Sequence, residues 1–126
     1  MTRSDERPRP EHADLYVESF LSGRSFTLGL LAEVGDPRAV ELGRARLQAG
    51  SEDTRIPAVL GQMGDPDSIP VLRETYARSE RWAMRAAALG ALMRLGADDA
   101  AELLAQAASD DDADLRRWAT WKLGRT

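Results

Sequence analysis

The chain has 126 residues, 43% of them hydrophobic and 30% charged, with a formal net charge of −4; that is enough for about one domain with a modest core. It has no cysteine and a single histidine, His12, so thiolate metal sites, disulfides, thiol nucleophiles and histidine-centred triads fall away. No stretch approaches the roughly 18 apolar residues of a membrane span, and the acidic balance disfavours a dedicated nucleic-acid binder.

Residues 1–10 read as a polar, proline-bearing flexible arm without the apolar run of a signal peptide, which places the protein in the cytoplasm. Residues 11–126 read as one repeat domain. A leading helix over 12–22 is expected to turn Leu15, Tyr16 and Phe20 inward. Three helix pairs follow: 25–34 with 37–48, 53–63 with 66–78, and 80–95 with 98–108. The last helix, 112–124, stands as a fourth first helix with no second. Strand signals are nearly absent, and Ala, Leu, Arg and Glu dominate.

The pairs are punctuated by one phrase. Gly35-Asp36-Pro37 recurs as Gly64-Asp65-Pro66, as the weaker Gly96-Ala97-Asp98, and in truncated form as Gly124-Arg125-Thr126. The leucines Leu31, Leu60, Leu92 and Leu123 mark these turns at spacings of 29, 32 and 31 residues. A period of about 30 with turn chemistry in each unit signals a stack of supersecondary modules. Glycine suits the left-handed position after a helix, Asp36 and Asp65 can cap the next helix, and Pro37 and Pro66 fit its first turn. The fold class is therefore all-α, a right-handed α-solenoid of about 3.5 helix pairs, seven or eight helices in all.

Two passages carry a family resemblance: Met84-Arg85-Ala86-Ala87-Ala88-Leu89-Gly90-Ala91-Leu92-Met93-Arg94-Leu95-Gly96, and Leu115-Arg116-Arg117-Trp118-Ala119-Thr120-Trp121-Lys122-Leu123-Gly124. They resemble the short HEAT-like repeat of the phycobilisome-lyase-like type, whose usual form is Val-Arg, alanines, then Ala-Leu-Gly-x-Leu-Gly-Asp-Pro. The likeness covers about residues 24–126 and puts Arg24, Arg85 and Arg116 in one column, which the second unit breaks with Asp53 and Arg55. It implies hydrogen bonds from that column between repeats, with the turn aspartates Asp36, Asp65 and Asp98 as acceptors. A phosphate- or carboxylate-binding array is the alternative. It also implies a family of scaffolds, binding modules and chromophore lyases, so the fold is specified and the function is not.

Candidate binding residues come from two places. Counted from each turn glycine, Val40 and Leu47, Ile69, Leu72 and Tyr76, and Ala101, Leu104 and Ala108 point to the core. Glu41, Arg44, Arg73, Glu74, Glu102 and Gln106 form a mixed-charge ridge on the second helices, read either as a solvated face or as a concave binding surface. In the last helix Trp118 and Trp121 share a face beside Arg117 and Lys122, residue types that fill cores or anchor interfaces. Tyr76 joins the candidates as a lining residue should the groove hold an organic ligand. Sixteen of seventeen basic residues are arginine, as a GC-rich bacterial genome produces and as bidentate anion contacts favour. Asp110-Asp111-Asp112 reads as a cap for the last helix, since it lacks the spacing of a calcium loop.

The carboxylates Glu18, Glu33, Asp53 and Glu74 stand at no catalytic spacing, so no catalytic residue, metal or cofactor is assigned. The expected function is a non-catalytic interaction module or scaffold, with another protein or a second copy as partner. A small organic ligand held as in a lyase or chaperone is the alternative, and nucleic-acid binding comes third.

Overall fold

The computed structural model describes residues 7–125. Most of the expected arm, residues 1–6, and the terminal Thr126 lie outside the described residues. A short 3-10 turn, Pro10–His12, leads into eight α-helices among the described residues: α1 (Ala13–Leu21), α2 (Thr27–Glu33), α3 (Arg38–Gln48), α4 (Arg55–Met63), α5 (Ile69–Arg78), α6 (Trp82–Arg94), α7 (Ala100–Ala107) and α8 (Ala113–Leu123). Each expected helix is present, trimmed by one to three residues at its ends.

The helices form two layers. Helices α2, α4, α6 and α8 pack on one another in sequence, and α1, α3, α5 and α7 lie against them. One continuous core runs between the layers. Leu31, Leu60 and Leu92 of the repeated column are fully buried in it, as are Leu28, Leu47, Ile56, Leu72, Leu89 and Leu115. Burying a leucine contributes about 1.5–3 kcal/mol, so the recurring leucine rather than local propensity holds the units together.

The turn phrase does what its chemistry dictates. Gly64 ends α4 at φ 75°, a left-handed conformation that a Cβ disfavours by about 1–2 kcal/mol. The Asp36 carboxylate accepts from the Arg38 N–H at 2.9 Å, and that of Asp65 from the Asp67 N–H at 2.9 Å. Pro66–Ser68 form a 3-10 turn that hands over to α5. At the far end, Asp112 accepts from the N–H groups of Asp114 and Leu115 and caps α8.

Some inward assignments change. Leu15 is 62% exposed, whereas Phe20 is fully buried and Tyr16 half-buried. In α7 the buried positions are Ala100, Leu104 and Ala107, while Ala101 is exposed and Ala108 half-buried. The helix starts at Ala100, after a turn at Asp98 and Asp99; Leu104 is buried as expected, and the inward alanines on either side of it lie one residue earlier than a count begun at Gly96.

Arginines stitch neighbouring units. Arg46 of α3 donates to the Phe20 carbonyl at 3.0 Å and lies 4.2 Å over the Phe20 ring. Arg78 of α5 donates likewise to the Leu47 carbonyl at 3.0 Å. Each guanidinium adds a second donor to a C-terminal carbonyl of the preceding second-layer helix, which also accepts from the N–H of the turn glycine, Gly23 or Gly50.

Candidate interaction surface

The mixed-charge ridge is largely tied up within the chain. Arg73 makes a forked contact with Asp99, at 3.0 and 3.1 Å from Nε and 2.9 Å from Nη2, and reaches Asp98 at 2.9 Å. That guanidinium, chiefly through its hydrogen bonds, holds the Asp99 carboxyl below the usual carboxylate range. Glu74 pairs with Arg78 at 3.3 Å, and Gln106 with Glu102 at 3.4 Å. Glu41 is exposed and Arg44 half-buried on α3. The ridge thus exists as a row of side chains, but its central arginine binds the next turn.

Tyr76 is buried, at 8% exposure. Arg85 lies 4.6 Å over its ring, donates to the Tyr76 carbonyl at 3.3 Å, and pairs with Asp110 at 3.1 Å. Burial pushes the Tyr76 phenol up. With one face under a guanidinium and the rest in the core, this ring is structural packing and does not line an open groove.

Within the arginine column Arg85 bonds between units, though not with the acceptor expected, and Arg116 bonds to the turn before its own helix. Arg85 takes Asp110, and Arg116 donates to the carbonyls of Asp110 and Asp111 at 2.8 and 3.2 Å. The turn aspartates are engaged elsewhere: Asp36 by Arg38, Asp65 by the Asp67 N–H, Asp98 by Arg73.

The tryptophans are arranged differently. Trp82 from the start of α6 meets Asp114, Arg117, Trp118 and Trp121 of α8 around an open hollow of about 380 Å³. Trp118 packs half-buried on the core, whereas Trp121 is 54% exposed. Lys122 and Arg125 flank the Trp121 ring at 5.7 and 4.9 Å, and Arg117 pairs with Asp114 at 3.2 Å. Two positions before the repeated leucine, the other units carry Gly29, Ala58 and Gly90; only α8 places a large ring there. Trp82 was not among the candidates, yet the repeat register holds the clue. Adjacent first-layer helices lie side by side, so a ring at the start of α6 reaches one on α8.

Consecutive helix pairs in two layers, joined by short turns and stitched through a shared core, define an α-solenoid. The family profile of HEAT repeats matches residues 55–124, more than half of the chain, and the chain belongs to the HEAT-repeat family. No curated protein matches it. Among the described residues, no helix is long and apolar enough to cross a membrane.

Proposed function

We propose that this chain is a non-catalytic protein-interaction module, a small scaffold built on one repeat domain over residues 11–126, of the short phycobilisome-lyase-like type and working in the cytoplasm. HEAT repeats commonly serve as interaction scaffolds. The observation that carries the reading is the open hollow of Trp82, Trp118 and Trp121, rimmed by Arg117, Lys122 and Arg125. Folding leaves such rings bare at a cost in apolar exposure, and tryptophan and arginine are the side chains that dominate binding hot spots. Between the two candidate faces, the tryptophan end is favoured, because the ridge spends Arg73 and Glu74 on contacts within the chain.

The test uses the chain as bait in an extract of its source cell, beside the Trp121→Ala variant. Trp121 is more than half exposed, so its removal leaves the thermal midpoint nearly unchanged. A bound protein is expected to weaken by about 2 kcal/mol, roughly thirtyfold. Capture of the same partners at the same strength by both proteins would reject the tryptophan hollow as the binding site.

A further inference from the structure

The repeat register sets the four first-layer helices in one frame. Two positions before the repeated leucine stand Gly29, Ala58, Gly90 and Trp121. Five before it stand Phe26, Arg55, Ala87 and Trp118, and two after it Glu33, Gln62, Arg94 and Arg125. Steps of three and four residues put these columns on one face of each helix. Every one of these residues is exposed or half-buried, so the face points away from the second layer.

Two hollows open on this face. Phe26, which leads into α2, and Gly29 line one of about 230 Å³ with Arg55, Ala58, Val59 and Gln62 of α4, and Phe26 is 55% exposed. The other is the tryptophan hollow between α6 and α8. A Cβ built on Gly29 or Gly90 meets nothing within 4 Å, so no packing inside the chain calls for glycine at either place. A helix-interior glycine is destabilising relative to alanine. What the face gains from them is room for another backbone to lie close.

The charges left over on the face are ordered. Arg55 is engaged by Asp53, and Arg117 by Asp114. The side chains of Glu33, at the α2 edge, and of Arg94, between the hollows, make no hydrogen bond or ion pair among the described residues. Arg94 lies across α4 at Gly61, its Cδ 3.6 Å from where a Cβ there would stand. The turn aspartates nearby are drawn toward the second layer: Asp36 by Arg38, Asp98 and Asp99 by Arg73, and Asp65 by the Asp67 N–H. Asp110, Asp111 and Asp112 precede the first turn of α8, about 20 Å along the helix axis from the level that Arg94 occupies on α6. A partner on this face thus meets a free guanidinium in the middle and a free carboxylate at the α2 edge.

We propose that the face holds an extended segment of a partner protein, laid across the first-layer helices and bearing an acidic residue between two bulky apolar ones. One apolar side chain fills the Phe26 hollow, the acid meets Arg94, and the second apolar side chain enters the tryptophan hollow. This rests on the tryptophan hollow being a protein-binding site. Two helix spacings of about 8–10 Å each separate the hollows. An extended chain rises about 3.3 Å per residue and turns alternate side chains to one side, so the anchors stand about six residues apart, with the acid about two or four after the first. A basic residue ahead of the first anchor faces Glu33 and fixes the direction of the segment.

A phage-displayed library of random dodecapeptides, selected on the whole chain, tests this. The enriched peptides are expected to carry two bulky apolar residues at that spacing with Asp or Glu between them. Synthetic copies are then titrated by fluorescence anisotropy against the unaltered chain and against Arg94→Glu, Ala58→Gln, Trp121→Ala and, on α3, Ala45→Gln. All four variants alter exposed positions, and circular dichroism checks that they stay folded. The first three are each expected to weaken binding at least about tenfold, and Ala45→Gln to leave it unchanged. Selection of no binder, enrichment of peptides without the acid, or binding that survives Arg94→Glu and Ala58→Gln overturns the proposal. Where Trp121→Ala alone weakens the peptides, the tryptophan hollow stands as a binding site and the spanning segment falls. Where no variant weakens them, both fall.

Discussion

The guanidinium of Arg85 lies 4.6 Å above the ring of Tyr76, joining the start of α6 to the end of α5. The same group reaches the Tyr76 carbonyl and the Asp110 carboxylate, so one side chain links α5, α6 and the turn before α8. Its own side chain and that of Asp110 are 21% and 24% exposed, which limits screening by water. A charge-assisted hydrogen bond contributes about 1.5–3 kcal/mol and a partly desolvated cation–π contact about 1. Arg85→Ala is expected to lower unfolding stability by about 2–3 kcal/mol in urea denaturation. Arg85→Lys keeps the charge but loses the fork, and is expected to recover less than half of that. A loss below about 0.5 kcal/mol for the alanine variant would show that the link carries no load.

Two helical glycines separate propensity from packing. A Cβ built on Gly90 in α6 meets nothing within 4 Å, whereas one on Gly61 in α4 comes within 3.2 Å of the Ala91 Cα and 3.3 Å of its Cβ. Gly90→Ala is expected to stabilise by about 0.5–1 kcal/mol, the gain in helix propensity. Gly61→Ala has the same gain but pushes against backbone, and overpacking costs about 1–3 kcal/mol. A net loss is expected there. Opposite signs in chemical denaturation would confirm that α4 and α6 touch at Gly61, and equal gains would refute it.

That pair also shows where sequence reading stops. The helices, their order and the leucine column follow from a period of about 30 and from turn chemistry, because both are local signals. Asp36 and Asp65 were legible as caps for the same reason. Partners distant in sequence were not. Nothing in the repeat told that Arg73 would fork onto Asp99, 26 residues away, or that Arg85 would cover Tyr76 and remove it from the groove. In α7 Leu104 was placed rightly, but Ala101 and Ala108 were each taken one residue too late, because the turn departs from the Gly-Asp-Pro form. The tryptophan end was legible in part: Trp118 and Trp121 come from one helix, while Trp82 joins them through packing between units.

Ser68, at the start of α5, is fully buried, and its hydroxyl has no hydrogen-bond partner. Burial of an unpaired hydroxyl costs about 1–3 kcal/mol by mutational measures. Its N–H bonds to the Asp65 carbonyl, a contact any residue but proline would keep. Ser68→Ala is therefore expected to stabilise by about 1 kcal/mol, which raises the thermal midpoint by roughly 4 °C in a chain of this size. A midpoint lowered by the substitution would show that the hydroxyl is satisfied in solution.

Acid sensitivity follows from four carboxylates. Asp36 is held below its ordinary value by Arg38, Asp53 by Arg55, Asp99 by Arg73, and Asp110 by the Asp112 N–H and then by Arg85. For a carboxyl with a depressed folded-state pKa, the unfolded chain takes up protons first as pH falls. The stabilisation is thus fully present above the ordinary value of 3.8 and is lost as pH drops through the lower folded value. The thermal midpoint is expected to be flat near neutrality and to fall once pH passes below about 4. Asp110→Asn separates the contributions, because an amide oxygen can still accept from the Asp112 N–H but carries no charge for Arg85. That variant is expected to be less stable at neutral pH and to lose less on acidification, so the two midpoint curves converge toward low pH. Curves that stay parallel down through the acid range would mean that the Asp110 charge contributes nothing to the fold.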